Sequence, residues 1–274
     1  MKTFAKTIAV SFLFLSTQSA LAQTTSYAQQ IKTLASKSAC TSYSWKNRGR
    51  APAGYIKGMA LSFARSVCRV KVESPIPAVA RILSAPSSGV TGKDALAYYA
   101  STFSSLGIKI KSPGEDAVRA VYSLGIGLGM RESSGKYCEG WDRSAGSRRS
   151  SAEGEAGLFQ VSYDSMGMST ELRKLYQEYQ ASPSRCNLAV FKEGASCSSQ
   201  SVLGTGAGAT YQAFNKSCPA FAAEYAMTVL RLHRTHFGPI NRKEAQVVSS
   251  CGTLLTNVQN LIESDPQSVC AELY

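Results

Sequence analysis

Apolar positions recur at helical spacing through most of the chain. Tyr27, Ile31, Leu34 and Ala35 share one face. So do Tyr55, Met59, Phe63 and Val67 in APAGYIKGMALSFARSVC, and Leu96, Tyr99, Ala100 and Phe103 before the loop LGIKIKSPGED. A further helix has a strong start signal in Ser112 as N-cap, Pro113 at the first helical position and Glu115 completing a capping box. It continues as AVRAVYSLGIGLGM, apolar on nearly every side, which predicts a buried central helix. Gly125 and Gly129 lie four apart in it. Each costs up to ~1 kcal/mol against alanine, so close approach of another backbone is the expected compensation. PAFAAEYAMTVLRLHRTHFGP reads as a second clear helix, opened by Pro219 and closed by Gly238-Pro239. Its inner stripe is Phe221, Tyr225, Thr228, Val229 and Leu232. Strand alternation is scarce; short strands are expected only in Cys138–Gln160. Polar loops, SAGSRRSSAEGEAG and GASCSSQSVLGTGAGAT, lie between the two helices, and no internal repeat is present.

The first residues change the picture. Lys2 and Lys6 precede an apolar core, Ile8–Leu15, and Ala20-Leu21-Ala22 fits the small-x-small cleavage rule. This predicts a secretory signal cut after Ala22, too short to span a bilayer comfortably. No other stretch is apolar enough to span, so no stable membrane insertion is expected and the location is periplasmic or extracellular. Eight cysteines lie beyond the signal, and in an exported chain they read as disulfides whose pairing sequence does not choose. There is no CxxC, the spacing that zinc and thioredoxin sites need. The formal charge is +12, and the excess is scattered. Polyanions such as wall polymers would attract it. Thin basic–aromatic interleaving speaks against nucleic acid.

Several chemistries lack their residues. His233 and His236, three apart, have no HExxH or cysteine pair beside them, so no metal is expected. There is no GxSxG for a serine triad. GIGLGM and GTGAGA lack a dinucleotide fingerprint and a Walker lysine, so no cofactor is expected. Carboxylate chemistry remains. Glu132 ends the buried helix at the negative pole of its dipole, and burial and dipole both raise a carboxyl pKa. A general acid near neutral pH needs that. Asp142, ten residues on in a polar segment, is the candidate second carboxylate of a glycosidase.

The residues around Glu132 support a family resemblance. Glu132-Ser133-Ser134-Gly135 followed by Gly157-Leu158-Phe159-Gln160 resembles the E-S-x-x…G-L-M-Q signature of lytic transglycosylases and goose-type lysozymes. Arg131-Glu132-Ser133, Gly140-Trp141-Asp142-Arg143 and Gly157–Val161 are similar to the goose-type segments R-E-S, G-W-G-D-R and G-L-M-Q-V. Glu224-Tyr225-Ala226 is similar to the family's D-Y-A helix. The resemblance covers Pro113 to Gly238. It departs where the family's second aspartate would follow G-L-M-Q-V; Ser162 stands there, with Asp164 two further on. The A-Y-N-A-G motif of transglycosylases has only a poor echo in Ala213-Phe214-Asn215.

The resemblance implies an α+β, mostly α, lysozyme-like fold with a buried central helix, a small β-hairpin region and a helical N-terminal extension. The implied division is signal peptide 1–22, helical extension 23–112, catalytic domain 113–238 and a packed C-terminal tail 239–274. The implied activity is cleavage of the β-1,4 link between N-acetylmuramic acid and N-acetylglucosamine in peptidoglycan, by a monomer. Glu132 would be the acid, and Asp142 would position water. Ser133, Trp141, Gln160 and Tyr225 would line the sugar site, with Tyr225 hydrogen-bonding near the acid. Trp141 offers a ring that could stack on a pyranose face. A lytic transglycosylase and a non-catalytic wall-binding protein are the alternatives. Glu139, Asp142, Glu153 and Glu155 concentrate acids after the helix, raising the idea of deacetylated, ammonium-bearing glycan as substrate; pairing with Arg143, Arg148 and Arg149 is the blander account.

Overall fold

A computed structural model of the chain describes residues 25–141, 149–197 and 201–274. The predicted leader 1–22 and Asp142 lie outside them. The central helix runs Glu115–Ser133 and is buried at almost every position from Ala117 to Met130. It begins two residues later than the capping box predicts. Gly114 adopts φ 96°, a left-handed turn that favours glycine, and its N–H donates to Ser84 O at 2.7 Å. Glu115 pairs instead with Lys71 Nζ at 2.8 Å, and with Asp116 it complements the positive end of the helix. At the other end Ser134 and Gly135 both turn left-handed, and Gly135 N–H returns to Gly129 O at 3.1 Å.

The helix glycines do different work from the backbone approach expected at Gly125 and Gly129. A Cβ on Gly125 would meet the thioether end of Met227, and one on Gly129 would meet the Tyr55 hydroxyl. The backbone approach is at Gly127, where a Cβ would land on the Gln246 carbonyl. Two faces of the helix therefore need glycine, because it is enclosed all round.

The enclosure uses the whole chain. The Ala53–Val72 helix packs against the central helix and is buried from Gly54 to Arg69 except at Lys57. Its Tyr55 hydroxyl donates to Ile126 O at 2.7 Å. Residues 23–112, expected to form an extension, thus supply Ile31, Tyr55 and Phe63 to the same core as Leu128 of the central helix and Val258 of the Ser249–Ser264 helix. Disulfides Cys40–Cys251 and Cys68–Cys270 tie the first segment to the last; Cys138–Cys197 and Cys186–Cys218 hold the connections between. Among the described residues no helix is long and apolar enough to cross a membrane.

The protein is mostly helical, and the sheet lies elsewhere than expected. Among the described residues it has two strands, Ser44–Trp45 paired antiparallel with Gly49–Arg50. Asn47 at φ 59° and Gly49 at φ 72° give the hairpin its reversal. Among the described residues of 138–160 and its border only an isolated bridge forms, Ala156 with Val161. Gly157 at φ 81° and Gln160 at φ 47° reverse the chain at once and leave no length for a ladder. The late helix, Pro219–Leu232, also stops early. Arg234 N–H leaves it to donate to Lys93 O at 2.9 Å. Gly238-Pro239 opens a short helix, Gly238–Asn241, rather than closing the long one.

A buried ionic cluster joins these helices. Arg69 donates to Glu224 at 3.0 Å and to Glu178 at 2.9 Å, and the Tyr179 hydroxyl donates to Glu224 at 2.9 Å. With Glu224 only 2% exposed, these bonds offset its desolvation.

The two glycine environments separate in a stability measurement. Gly127→Ala should lose about 2 kcal/mol or more, because a carbonyl must move. Gly125→Ala should lose markedly less, because a methionine end can yield. Equal denaturant midpoint shifts for the two would refute the packing assigned to Gln246.

Candidate active site

The end of the central helix opens into a cleft of about 920 Å³, a size suited to a small-molecule or polymer-segment ligand. Glu132 lies on its wall, one residue from the helix end, with Ser133 and Ser134 beside it. The reversal built on the Ala156–Val161 bridge lines it through Glu155 and Gln160. Gly140 and Trp141 form the rim and are held near by the Cys138–Cys197 bridge.

Ser133 points inward. Its hydroxyl donates to Leu158 O at 2.8 Å and approaches Gly129 O at 3.1 Å, joining the helix end to the Gly157–Gln160 turn. Gln160 does similar work. Its Nε2 donates to Gly157 O at 2.9 Å and Gly140 O at 3.2 Å. It thereby fixes the rim to the turn, and it lines the cleft as well. Trp141, partly exposed, lines the cleft too.

Tyr225 is not brought to the cleft. It is fully buried on the inner stripe of the late helix, among Tyr211 and Phe221, and shares a 2.6 Å hydrogen bond with Ser165 Oγ. Burial pushes its phenol up to about 12. Asn215 also packs behind the turn, against Gly157. Ser162 and Asp164 do not line the cleft. Asp142, the predicted second carboxylate, lies outside the described residues.

A second carboxylate is nevertheless present. Glu155 lines the cleft, positioned between buried Gly154 and bridged Ala156. Glu139 lines it as well, whereas Glu153 folds back to accept from Ser150 N at 2.8 Å and Ser150 Oγ at 2.9 Å. In the sequence Glu155 is one acid among several in a polar loop; its place two residues before G-L-F-Q was its only signal.

Burial pushes the Glu132 carboxyl up to about 8, and the neighbouring Glu155 charge adds to the shift. Arg48, Arg242 and Arg131 oppose it. Arg48 comes from the hairpin loop, and Arg242 follows the short Gly238–Asn241 helix, so the cleft draws on both ends of the chain. Long-range placement of this kind leaves no local pattern in the sequence.

Arg131 and Arg242 are held by one residue. Glu244 accepts from Arg131 Nη2 at 2.8 Å and from Arg242 Nε and Nη2 at 2.9 and 3.1 Å. These bonds, Arg242's first, hold its carboxyl down at about 2. Two residues on, Gln246 accepts from Lys46 N at 3.0 Å and donates to the Tyr43 hydroxyl at 3.2 Å, which moors the hairpin.

All eight cysteines are bridged, and among the described residues no group of three or more His, Cys, Asp or Glu converges as metal ligands would. What the arrangement can do is proton chemistry: one carboxyl protonated at neutral pH beside a second carboxylate, in a walled cleft. No protein-family model, no curated protein and no solved structure matches the chain.

The raised pKa has a stability consequence. The unfolded glutamate ionises near its ordinary 4.5, the folded one only near 8. Folding stability should therefore fall as pH rises from about 4.5 to 8, as the unfolded state sheds its proton first. Glu132→Gln should melt higher than wild type at pH 8 and equally at pH 4. A difference independent of pH would place the Glu132 carboxyl in water.

Proposed function

We propose that the protein is an exported peptidoglycan glycosidase, a muramidase that hydrolyses the β-1,4 link between N-acetylmuramic acid and N-acetylglucosamine. The observation that carries this reading is the unequal carboxylate pair in one cleft: Glu132 held protonated at the end of a buried helix, with Glu155 beside it. The sequence resemblance of Arg131–Ser133 and Gly157–Val161 to goose-type lysozymes supports it, as do four disulfides, which belong to an oxidising compartment.

In this mechanism a glycan strand lies along the cleft across Trp141 and the Gly157–Gln160 turn. Glu132 passes its proton to the glycosidic oxygen as the bond to the muramic sugar breaks. Positive charge develops at C1 and the ring oxygen. Ionised Glu155 stabilises that charge, takes a proton from water and directs the oxygen to C1, giving inverted product. Each cycle leaves Glu132 ionised and Glu155 protonated, and solvent exchange restores both. Glu155 thereby takes up water-positioning, the role expected of Asp142, which lies outside the described residues.

The lytic transglycosylase is the second reading. Ser162 and Asp164 do not line the cleft, so the family's second aspartate has no counterpart there. In that chemistry the muramic 6-hydroxyl attacks C1 and no water is consumed. Mass spectrometry of products from defined peptidoglycan separates the two: reducing ends for hydrolysis, anhydro ends lighter by one water for transglycosylation.

Glu132→Gln should lower cell-wall clearance by about 10²–10⁴ while the protein stays folded. Near wild-type clearance would remove Glu132 from the role of acid. No clearance by the wild-type protein would return the fold to glycan binding alone. Activity should fall as pH rises through about 8, where Glu132 ionises. Glu155→Gln removes the neighbouring negative charge, so it should lower turnover and move that alkaline limb to lower pH. An unmoved limb would separate the two carboxylates.

A further inference from the structure

The acids of the cleft face a wall of opposite charge. Arg131 precedes Glu132 on the central helix, Arg242 follows the Gly238–Asn241 helix, Arg48 comes from the hairpin loop, and Lys136 stands beyond the helix end. Among the described residues, with Glu132 protonated at neutral pH, these four cations share the lining with two carboxylates, Glu139 and Glu155. Glu244 adds negative charge but spends it on alignment, fixing Arg131 and Arg242 side by side through three hydrogen bonds. Among the described residues, these contacts engage Arg131 through Nη2 and Arg242 through Nε and Nη2, which leaves part of each guanidinium fork uncommitted. Among the described residues, Arg131 Nε is buried without a hydrogen-bond partner. A neutral sugar has no anion to answer this excess. A carboxylate does, and arginine forks match its geometry.

We propose that Arg48, Arg131 and Arg242 form a carboxylate-binding subsite beside Glu132, which seats an acidic substituent of the sugar next to the scissile bond. The proposal rests on the glycosidase reading. Peptidoglycan offers this chemistry in two ways. The lactyl arm of muramic acid ends in a free carboxylate where no peptide is attached, and peptide stems carry acidic groups where one is. A β-1,4 polymer of N-acetylglucosamine alone carries neither. The arginines thus select the substrate and Glu132 cleaves it. Glu244 is a positioning residue that acts through Arg131 and Arg242. The wall also bears on deacetylated glycan, because it would repel ammonium groups on this side of the cleft.

Binding can be read apart from cleavage in the Glu132→Gln background. Three soluble ligands of equal sugar length are titrated by calorimetry: a peptide-bearing peptidoglycan fragment, a peptide-free one with its lactyl carboxylate, and a neutral N-acetylglucosamine oligomer. At least one anionic fragment should bind roughly tenfold or more tighter than the neutral oligomer, with the advantage shrinking as salt rises. Preference for the peptide-bearing fragment alone assigns the carboxylate to the stem. Preference for the peptide-free one alone assigns it to the lactyl arm. Either supports the subsite. Adding Arg48→Gln, on the exposed hairpin, or Arg242→Gln should remove most of the advantage. Adding Glu244→Gln should weaken it although net positive charge increases, which a nonspecific charge effect would not do. Equal binding of all three ligands, or an advantage unchanged in both arginine variants, overturns the proposal. Failure of the glycosidase reading shows separately, as a wild-type protein that binds the anionic fragments and cuts none of them.

Discussion

One contact organises this protein: the Gln246 carbonyl lying against Gly127 in the middle of the central helix. A side chain at that position would hold the two backbones apart. With glycine there, the chain after the short Gly238–Asn241 helix passes directly over the helix that carries Glu132. The same Gln246 binds Lys46 and Tyr43 of the hairpin region through its side-chain amide. Two residues earlier, Glu244 binds Arg131 and Arg242. A single close approach therefore brings the tail, the hairpin and the helix end into register, and the cleft forms where the three meet. The disulfide Cys40–Cys251 closes the same neighbourhood covalently.

The electrostatics of the cleft follow from that assembly. A glutamate at the last turn of a buried helix loses hydration and meets the carbonyl end of the helix, and both disfavour its ionised form. Glu155, brought in by the turn after the Ala156 bridge, reinforces this. Three arginines nearby oppose the shift, but burial outweighs them. Glu244 neutralises part of two of them while fixing their direction. The acid thus keeps its proton to about pH 8 inside a cleft whose wall is cationic. Proton retention and anion attraction oppose each other in most sites; here burial of Glu132 outweighs the cationic wall.

Sequence periodicity by itself determined the helices, and the reason is local. Tyr55, Met59, Phe63 and Val67 are all fully buried, as the 3.6-residue spacing requires, and the all-round apolar run from Ala117 became the enclosed central helix. Glu132 was legible as a candidate for a raised pKa, because it ends that buried run at the negative pole of the helix. The cysteines were legible as bridged but not by partner. Helix boundaries were less so. Gly114, rather than Ser112, starts the central helix because a bond to Ser84 across the fold sets the turn.

Tertiary structure alone decided the rest. Tyr225 fits a cleft tyrosine by motif, yet the aromatic cluster around Phe221 draws it inward to Ser165. The strands formed at Ser44–Arg50, where left-handed residues permit a reversal with room to pair, and not near the Gly157 turn. Arg48, Glu155, Arg242 and Glu244 carry no periodic signal, since each acts through partners far away in the chain. Spacing along a chain encodes which face of a helix is buried. It does not encode which charges meet across a cleft, because that depends on how separate elements dock, and docking here turns on a glycine and a carbonyl more than a hundred residues apart.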